Sequence, residues 1–208
     1  MLTPKQIKIF EVFLRTPYKE LTYKEIKGYS QEKSNSIIQK AIAKFLAEEL
    51  VKKRKVGNII LYQANLENNV VFSYFGILTK EKFSNPVKNS LKIIREELSN
   101  IEFISIVIFG SYAEGKQKEK SDLDIAIIVN SEEDKKNCEL SMKSAELKSI
   151  LQLDIHIITK DEMLQMLKDK HENLGKQIVY KHLAIHNPAI YYSIIQEGIN
   201  NGFKIVYS

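Results

Sequence analysis

Cysteine is almost missing: Cys138 is the only one in 208 residues, so no intrachain disulfide can form and no paired-cysteine zinc site is possible. A small buried residue on a helix is the ordinary reading of that position. Long apolar runs are missing too, since no stretch approaches the ~18 residues needed to span a bilayer. Met1 to Phe10 contains lysines but no apolar run, so no targeting segment is expected and a soluble, cytoplasmic protein without membrane contact is the default. What is present is a 44% hydrophobic composition, ordinary for a packed core of one or two domains.

Acidic residues are scarce in the first third. Residues 1–69 hold 13 Lys and Arg against 7 Asp and Glu, a net of +6, whereas the remainder comes to −1. A basic module in front of a neutral domain suits contact with a polyanion, although lysine-rich surfaces also serve plain solubility.

Thr3-Pro4 is a helix cap followed by proline at the first helical position, and Ile7 to Leu14 supplies the apolar stretch of a first helix. Thr22-Tyr23-Lys24-Glu25 is a capping box and predicts a short second helix, with Gly28 helping to end it near Tyr29. After Ser34, apolar residues from Ile37 to Leu50 recur at helical spacing, with Lys40 and Lys44 beside that face. Two strand-like runs, Val51 to Val56 and Ile59 to Tyr62, flank Gly57-Asn58, a strong hairpin signal. The whole resembles the winged helix-turn-helix family, in which the third helix enters the major groove and the wing touches the backbone. On that resemblance Lys40, Lys44, Lys52, Lys53, Arg54 and Lys55 are candidate DNA phosphate contacts. Winged helices also serve as dimerisation or docking modules, and a lysine-rich strand also protects a sheet edge from aggregation.

The expected domains are a winged helix over 1–69, a connector helix over 70–87 and a second domain with C-terminal helices over 88–208. In the second, Asn85-Pro86 opens a helix, and strand candidates follow at Phe103 to Phe109, Leu123 to Val129 and Leu151 to Ile158, alternating with helices capped at Ser131 and Thr159. That order predicts an α/β (α+β) layout with a small mixed sheet. Gly175 to Phe203 reads as two further helices joined around Asn187-Pro188, with Tyr191, Tyr192 and Phe203 packing on the sheet or on a second subunit of a homodimer.

The decisive stretch runs from Phe109 to Asp124. Gly110 closes a strand and lets the backbone approach a ligand, while Ser111 offers a hydroxyl and an amide at a helix start, where phosphate is favoured. Asp122 and Asp124 stand two apart on the next strand and share a face. Asp154 is a lone acid among apolar strand neighbours. Three such carboxylates brought together repel, by ~4 kcal/mol per pair at 4 Å and an effective dielectric near 20, and hard divalent ions are the natural relief, Mg²⁺ foremost and two ions in all. His156 shares the face of Asp154 and reads as an ordinary strand residue; His171, His182 and His186 read as helix-surface or helix-end residues.

Here the chain resembles the DNA polymerase beta-type nucleotidyltransferase superfamily, most closely its minimal nucleotidyltransferases. Gly110-Ser111, ten residues from Tyr112 to Ser121, then Asp122-Leu123-Asp124 is the signature of that group, and the resemblance spans about residues 88 to 180. It implies that Gly110 and Ser111 bind the nucleoside triphosphate, that Asp122 and Asp124 ligate metal, and that Asp154 is the third ligand and helps activate the nucleophile. One departure is Glu114, where many members carry a basic residue; Lys116, Lys118 and Lys120 stand near enough in sequence to replace the charge. The resemblance implies transfer of a nucleoside monophosphate, AMP from ATP foremost, to a hydroxyl, as in antitoxins that adenylylate a HEPN-type toxin. The alternative is a DNA-binding regulator whose second domain binds nucleotide or a partner without turnover. A nucleic-acid-modifying transferase is the third reading, disfavoured by the neutral charge of the second half.

Overall fold

Helix capping sets the pattern of the first unit. A computed structural model describes residues 1–205, and the chain divides between Leu78 and Thr79 into two compact units. In the first, Thr3 and Gln6 cap α1 (Pro4–Arg15) reciprocally, Thr22 and Glu25 do the same for α2 (Tyr23–Ser30), and the Ser34 hydroxyl accepts from Ile37 at the start of α3 (Asn35–Ala47). Gly28 lies inside α2 rather than ending it. The left-handed residue that stops the helix is Gln31, whose N–H donates to the Gly28 carbonyl. Strands β1 (Leu21–Thr22), β2 (Val51–Val56) and β3 (Ile59–Ala64) form an antiparallel sheet in the order β1-β3-β2, with Val56 opposite Ile59 across the two-residue turn. An aromatic cluster fills the core, with the Phe10 ring 5.1 Å from Phe45 and 5.7 Å from Phe75.

Helix α4 (Asn69–Lys82) carries the chain out of this unit, and a separate helix, α5 (Asn85–Glu97), opens with Pro86 in its first turn. The stretch expected as one connector over 70–87 thus contains all but the first residue of one helix and the start of another. There follow β4 (Ile104–Phe109), α6 (Gly110–Glu114), β5 (Leu123–Val129), α7 (Glu132–Lys148), β6 (Leu153–Thr159), α8 (Lys160–Lys168), α9 (Leu174–Tyr180), β7 (His182–His186) and α10 (Pro188–Asn200). The sheet is mixed, in the order β6-β5-β4-β7: β5 and β6 run parallel, joined by the α7 crossover, while β4 is antiparallel to both its neighbours. All six residues of β4 are buried, as befits a central strand covered on both faces.

The tail holds the two expected helices, α9 and α10, but with a strand between them. His182 to His186 forms β7 against β4, so His182 and His186 are strand residues, not helix residues. Five residues are too few to reveal a period, and the strand exists because β4 offers an otherwise open edge. The register between them shifts at Ile106 and Val107. Tyr191 and Tyr192 are buried, as packing groups should be. The last three residues of the domain expected over 88–208 lie outside the described residues.

Candidate functional site

Strand alternation places the acidic residues. Leu123 and Ile125 are buried on one face of β5, which turns Asp124 to the other. Asp122 lies one residue before β5 rather than on it, still in phase with Asp124. Because β5 and β6 are parallel and in register, Asp124 is paired directly with Asp154 on the neighbouring strand. Strand topology thus brings together acids 30 residues apart in sequence.

Gly110 sits immediately after β4 with a φ of +63°, in the left-handed region that favours glycine. A Cβ there would collide with the Asp124 carboxylate, so this glycine is what lets the acid lie against the backbone. The Asp124 pKa is raised, first by burial and then by the charges of Asp154 and Asp122, against the lowering influence of His156 and of the Ser111 N–H that donates to it. Asp154 is half exposed, and its Oδ1 lies 3.2 Å from His156 Nε2. The His156 ring is in turn 5.7 Å from that of Phe109.

This carboxylate group suits a hard cation in its chemistry: the donors are all oxygens, and Asp124 already feels two neighbouring negative charges that a dication would relieve. Among the described residues, however, no three acidic, histidine or cysteine side chains converge closely enough to enclose an ion as they stand. Side-chain rotation would have to close the set.

The loop after α6 is held by its own backbone. Lys116 N–H donates to the Ser111 carbonyl at 2.9 Å, and Lys118 N–H donates to Ser121 Oγ at 2.8 Å, just ahead of Asp122. Gly115 is the left-handed residue that ends α6, just before Lys116.

Residues 87–181 match the nucleotidyltransferase domain. A curated relative from Methanocaldococcus jannaschii, "Putative protein adenylyltransferase MJ1215", is 36% identical over 83 residues, which cover 39% of this chain and 94% of the relative. The chain belongs to the nucleotidyltransferase family. A looser likeness, with a TM-score of 0.35 and 19% identity over 57% of this chain and 86% of the other, is to the crystal structure of a toxin-antitoxin with AMP-PNP, and it bears on neither fold nor function here.

In this nucleotidyltransferase two lysines gather around Glu114. Glu114 is ion-paired with Lys181 at 2.9 Å and with Lys116 at 3.3 Å, and these cations, Lys181 first, hold its carboxyl below the usual range. Two lysines against one glutamate leave a net positive cluster beside the Gly110-Ser111 turn. Lys116 was legible from its position in the loop, but Lys181, at the entry to β7, was not. For His156, its spacing of two from Asp154 is the sequence signal for their contact.

His182, expected on a helix surface or at a helix end, is instead a half-buried residue of β7. Its Nδ1 is 2.8 Å from the Val179 carbonyl, its ring lies 4.8 Å from Tyr191, and its Nε2 is shielded with no hydrogen-bond partner among the described residues. Burial pushes its pKa down to about 4. The unfolded chain therefore takes up this proton more readily than the folded one. The associated stability is complete above about pH 6.5 and is lost as pH falls through about 4. The residue as a whole is only half-buried, so ~3 kcal/mol is an upper bound. Thermal melts between pH 7 and pH 4 should show this loss, and His182→Phe should flatten it.

In the first unit the six candidate phosphate contacts fall into two groups. Lys44, Lys52 and Arg54 are ion-paired with Glu48, Glu67 and Glu20, at 2.8, 2.8 and 2.5 Å. Lys40, Lys53 and Lys55 are exposed and have no ion-pair partner among the described residues.

Proposed function

We propose that this nucleotidyltransferase moves AMP from ATP to a protein hydroxyl, with Mg²⁺ as cofactor. The observation that carries the site is the direct pairing of Asp124 with Asp154 beside Asp122 and Gly110. The name of the curated relative, which this chain spans almost whole, supports AMP as the group and protein as the acceptor class. A HEPN-type toxin is the acceptor that the sequence resemblance implies.

In this reading Asp122, Asp124 and Asp154 would hold Mg²⁺, which when bound neutralises phosphate charge and favours ionisation of the acceptor hydroxyl. Ser111 and the Gly110 backbone position the triphosphate, and Lys116 and Lys181 attract it. The acceptor oxygen forms a bond to the α-phosphorus, the bond to the β-phosphate oxygen breaks, and pyrophosphate leaves. Asp154 takes the hydroxyl proton, helped by the orienting contact of His156. Incubation with each labelled nucleoside triphosphate, Mg²⁺ and a lysate of the source cell tests the proposal. Label from ATP should move onto a protein band, and label found only on RNA would refute the acceptor class.

Lys181→Ala tests the charge cluster. Because the lysine is half exposed, a roughly fivefold rise in KM for nucleotide with little change in kcat is expected. An unchanged KM would remove Lys181 from the binding of the triphosphate.

We infer a second role from the first unit, which supports a winged helix through its order of helix, short strand, two helices and hairpin. DNA contact would rest on Lys40, Lys53 and Lys55, with Lys44, Lys52 and Arg54 joining only by releasing their glutamates. Replacing Lys53 and Lys55 by alanine should weaken binding uniformly across DNA sequences and reduce the salt slope by about 2. A slope that does not move would refute this role.

A further inference from the structure

The outer side of α7 combines features that a merely solvated helix does not. Leu140 is 67% exposed and Leu147 90%, and just past the helix end Ile150 is 85% exposed. Beside them β6 ends the sheet, with no strand on its outer edge among the described residues. Its sequence, Leu153 to Thr159, has neither the lysine nor the proline that commonly guards an open edge. Ile155 and Ile157 of β6 form one wall of an open groove, and Glu139, Leu140, Lys143 and Glu146 of α7 line the other. Isolated exposed leucines are common, but three large apolar side chains spaced along one helix face and just past its end, beside an unguarded strand edge, call for a cover.

The order of charges says what covers it. Along the stripe Lys136, Glu139, Lys143 and Glu146 alternate in sign, positive first. Read in reverse the order begins with the negative charge, so a second α7 lying antiparallel, across a twofold axis near residue 141, meets every charge with its opposite. Glu139 faces Lys143 of the second copy, and Lys136 faces its Glu146. Self-complementarity under a twofold is what an isologous interface requires and what an unrelated partner would not need. None of these four residues has an ion-pair partner within the chain among the described residues, whereas Lys135 and Lys148 on the same helix are engaged by Glu162 and Glu97.

We propose that the chain forms a homodimer through the groove between α7 and β6, with the two α7 helices antiparallel, Leu140 near the axis, and the apolar stripe and the Ile155–Ile157 edge buried between the copies. Alternation along β6 turns Ile155 and Ile157 toward α7 and Asp154 and His156 to the opposite face, so the dimer leaves both carboxylate sites open. The proposal is independent of the transfer chemistry.

Sedimentation equilibrium of the full chain should give twice the 24.0 kDa monomer mass. Glu139→Lys alone, or Lys143→Glu alone, sets like charges face to face across the axis and should raise the dimer Kd on the order of tenfold. The two substitutions together exchange the signs, keep each facing pair opposite, and should restore the wild-type Kd. Leu140→Glu should leave monomer only, with a circular dichroism melt confirming that the variant is folded. A wild-type chain that stays monomeric at every concentration overturns the proposal. So does a dimer indifferent to Leu140→Glu, or a charge-swapped pair that fails to recover while still melting cooperatively.

Discussion

Asp122→Asn combined with Asp124→Asn is expected to lower nucleotide transfer by about 10³-fold or more while leaving the protein at least as stable as the wild type. The two halves of this result have one cause. Transfer needs the charge of these acids, whereas the fold is hindered by it, since burial and the neighbouring Asp154 and Asp122 raise the Asp124 pKa and so disfavour its ionised form. The sign follows from linkage: a carboxyl raised above its unfolded value stabilises the fold below that value and loses the contribution as pH climbs through the folded pKa. Near neutral pH asparagine, which resembles the protonated acid and still accepts from the Ser111 N–H, removes the penalty. Transfer of labelled ATP and a thermal melt on the same preparation check both halves. Retained transfer would sink the site assignment, and a lowered melting temperature would sink the account of crowded charge.

Gly110→Ala should give the opposite stability result with a smaller but still large loss of activity. The residue holds a φ of +63°, and its missing Cβ leaves the space taken by the Asp124 carboxylate. Alanine must therefore both occupy a strained backbone region, at about 1–2 kcal/mol, and displace the acid. A fall in transfer of about 100-fold or more and a lower melting temperature are expected. Gly115→Ala is the matched control, because its φ is +69° but nothing lies within 4 Å of an added Cβ. It bears the backbone penalty without the collision, so it should lose stability and keep most of its transfer. If the two alanines reduce transfer equally, the contact between Gly110 and Asp124 is not what the activity needs.

Much of the arrangement was legible before any coordinates. Caps at Thr3, Thr22, Ser34, Ser131 and Thr159 do announce helices, because each satisfies orphan N–H groups locally and so depends only on neighbours in sequence. The alternation around Asp122, Asp124 and Asp154 likewise carries its own strand signal. What sequence could not show depends on distant partners. β7 is a strand because β4 lies beside it, and its five residues have no period of their own. Lys181 enters the site only because β7 returns there, and Glu114 becomes intelligible only with it. The same limit applies to the basic hairpin, where two of its four candidate cations, Lys52 and Arg54, are claimed by Glu67 and Glu20 from outside the hairpin.

The pairing of β4 with β7 also sets an order of events during synthesis. The first unit is complete by Leu78, but Val107 waits for Ala184 before its strand is flanked on both sides. About 100 further residues at ~5–20 per second means that the N-terminal unit can be folded for roughly 5 to 20 seconds before the sheet behind the carboxylates closes. A ribosome-bound chain would thus carry a finished basic module well before it could hold a nucleotide.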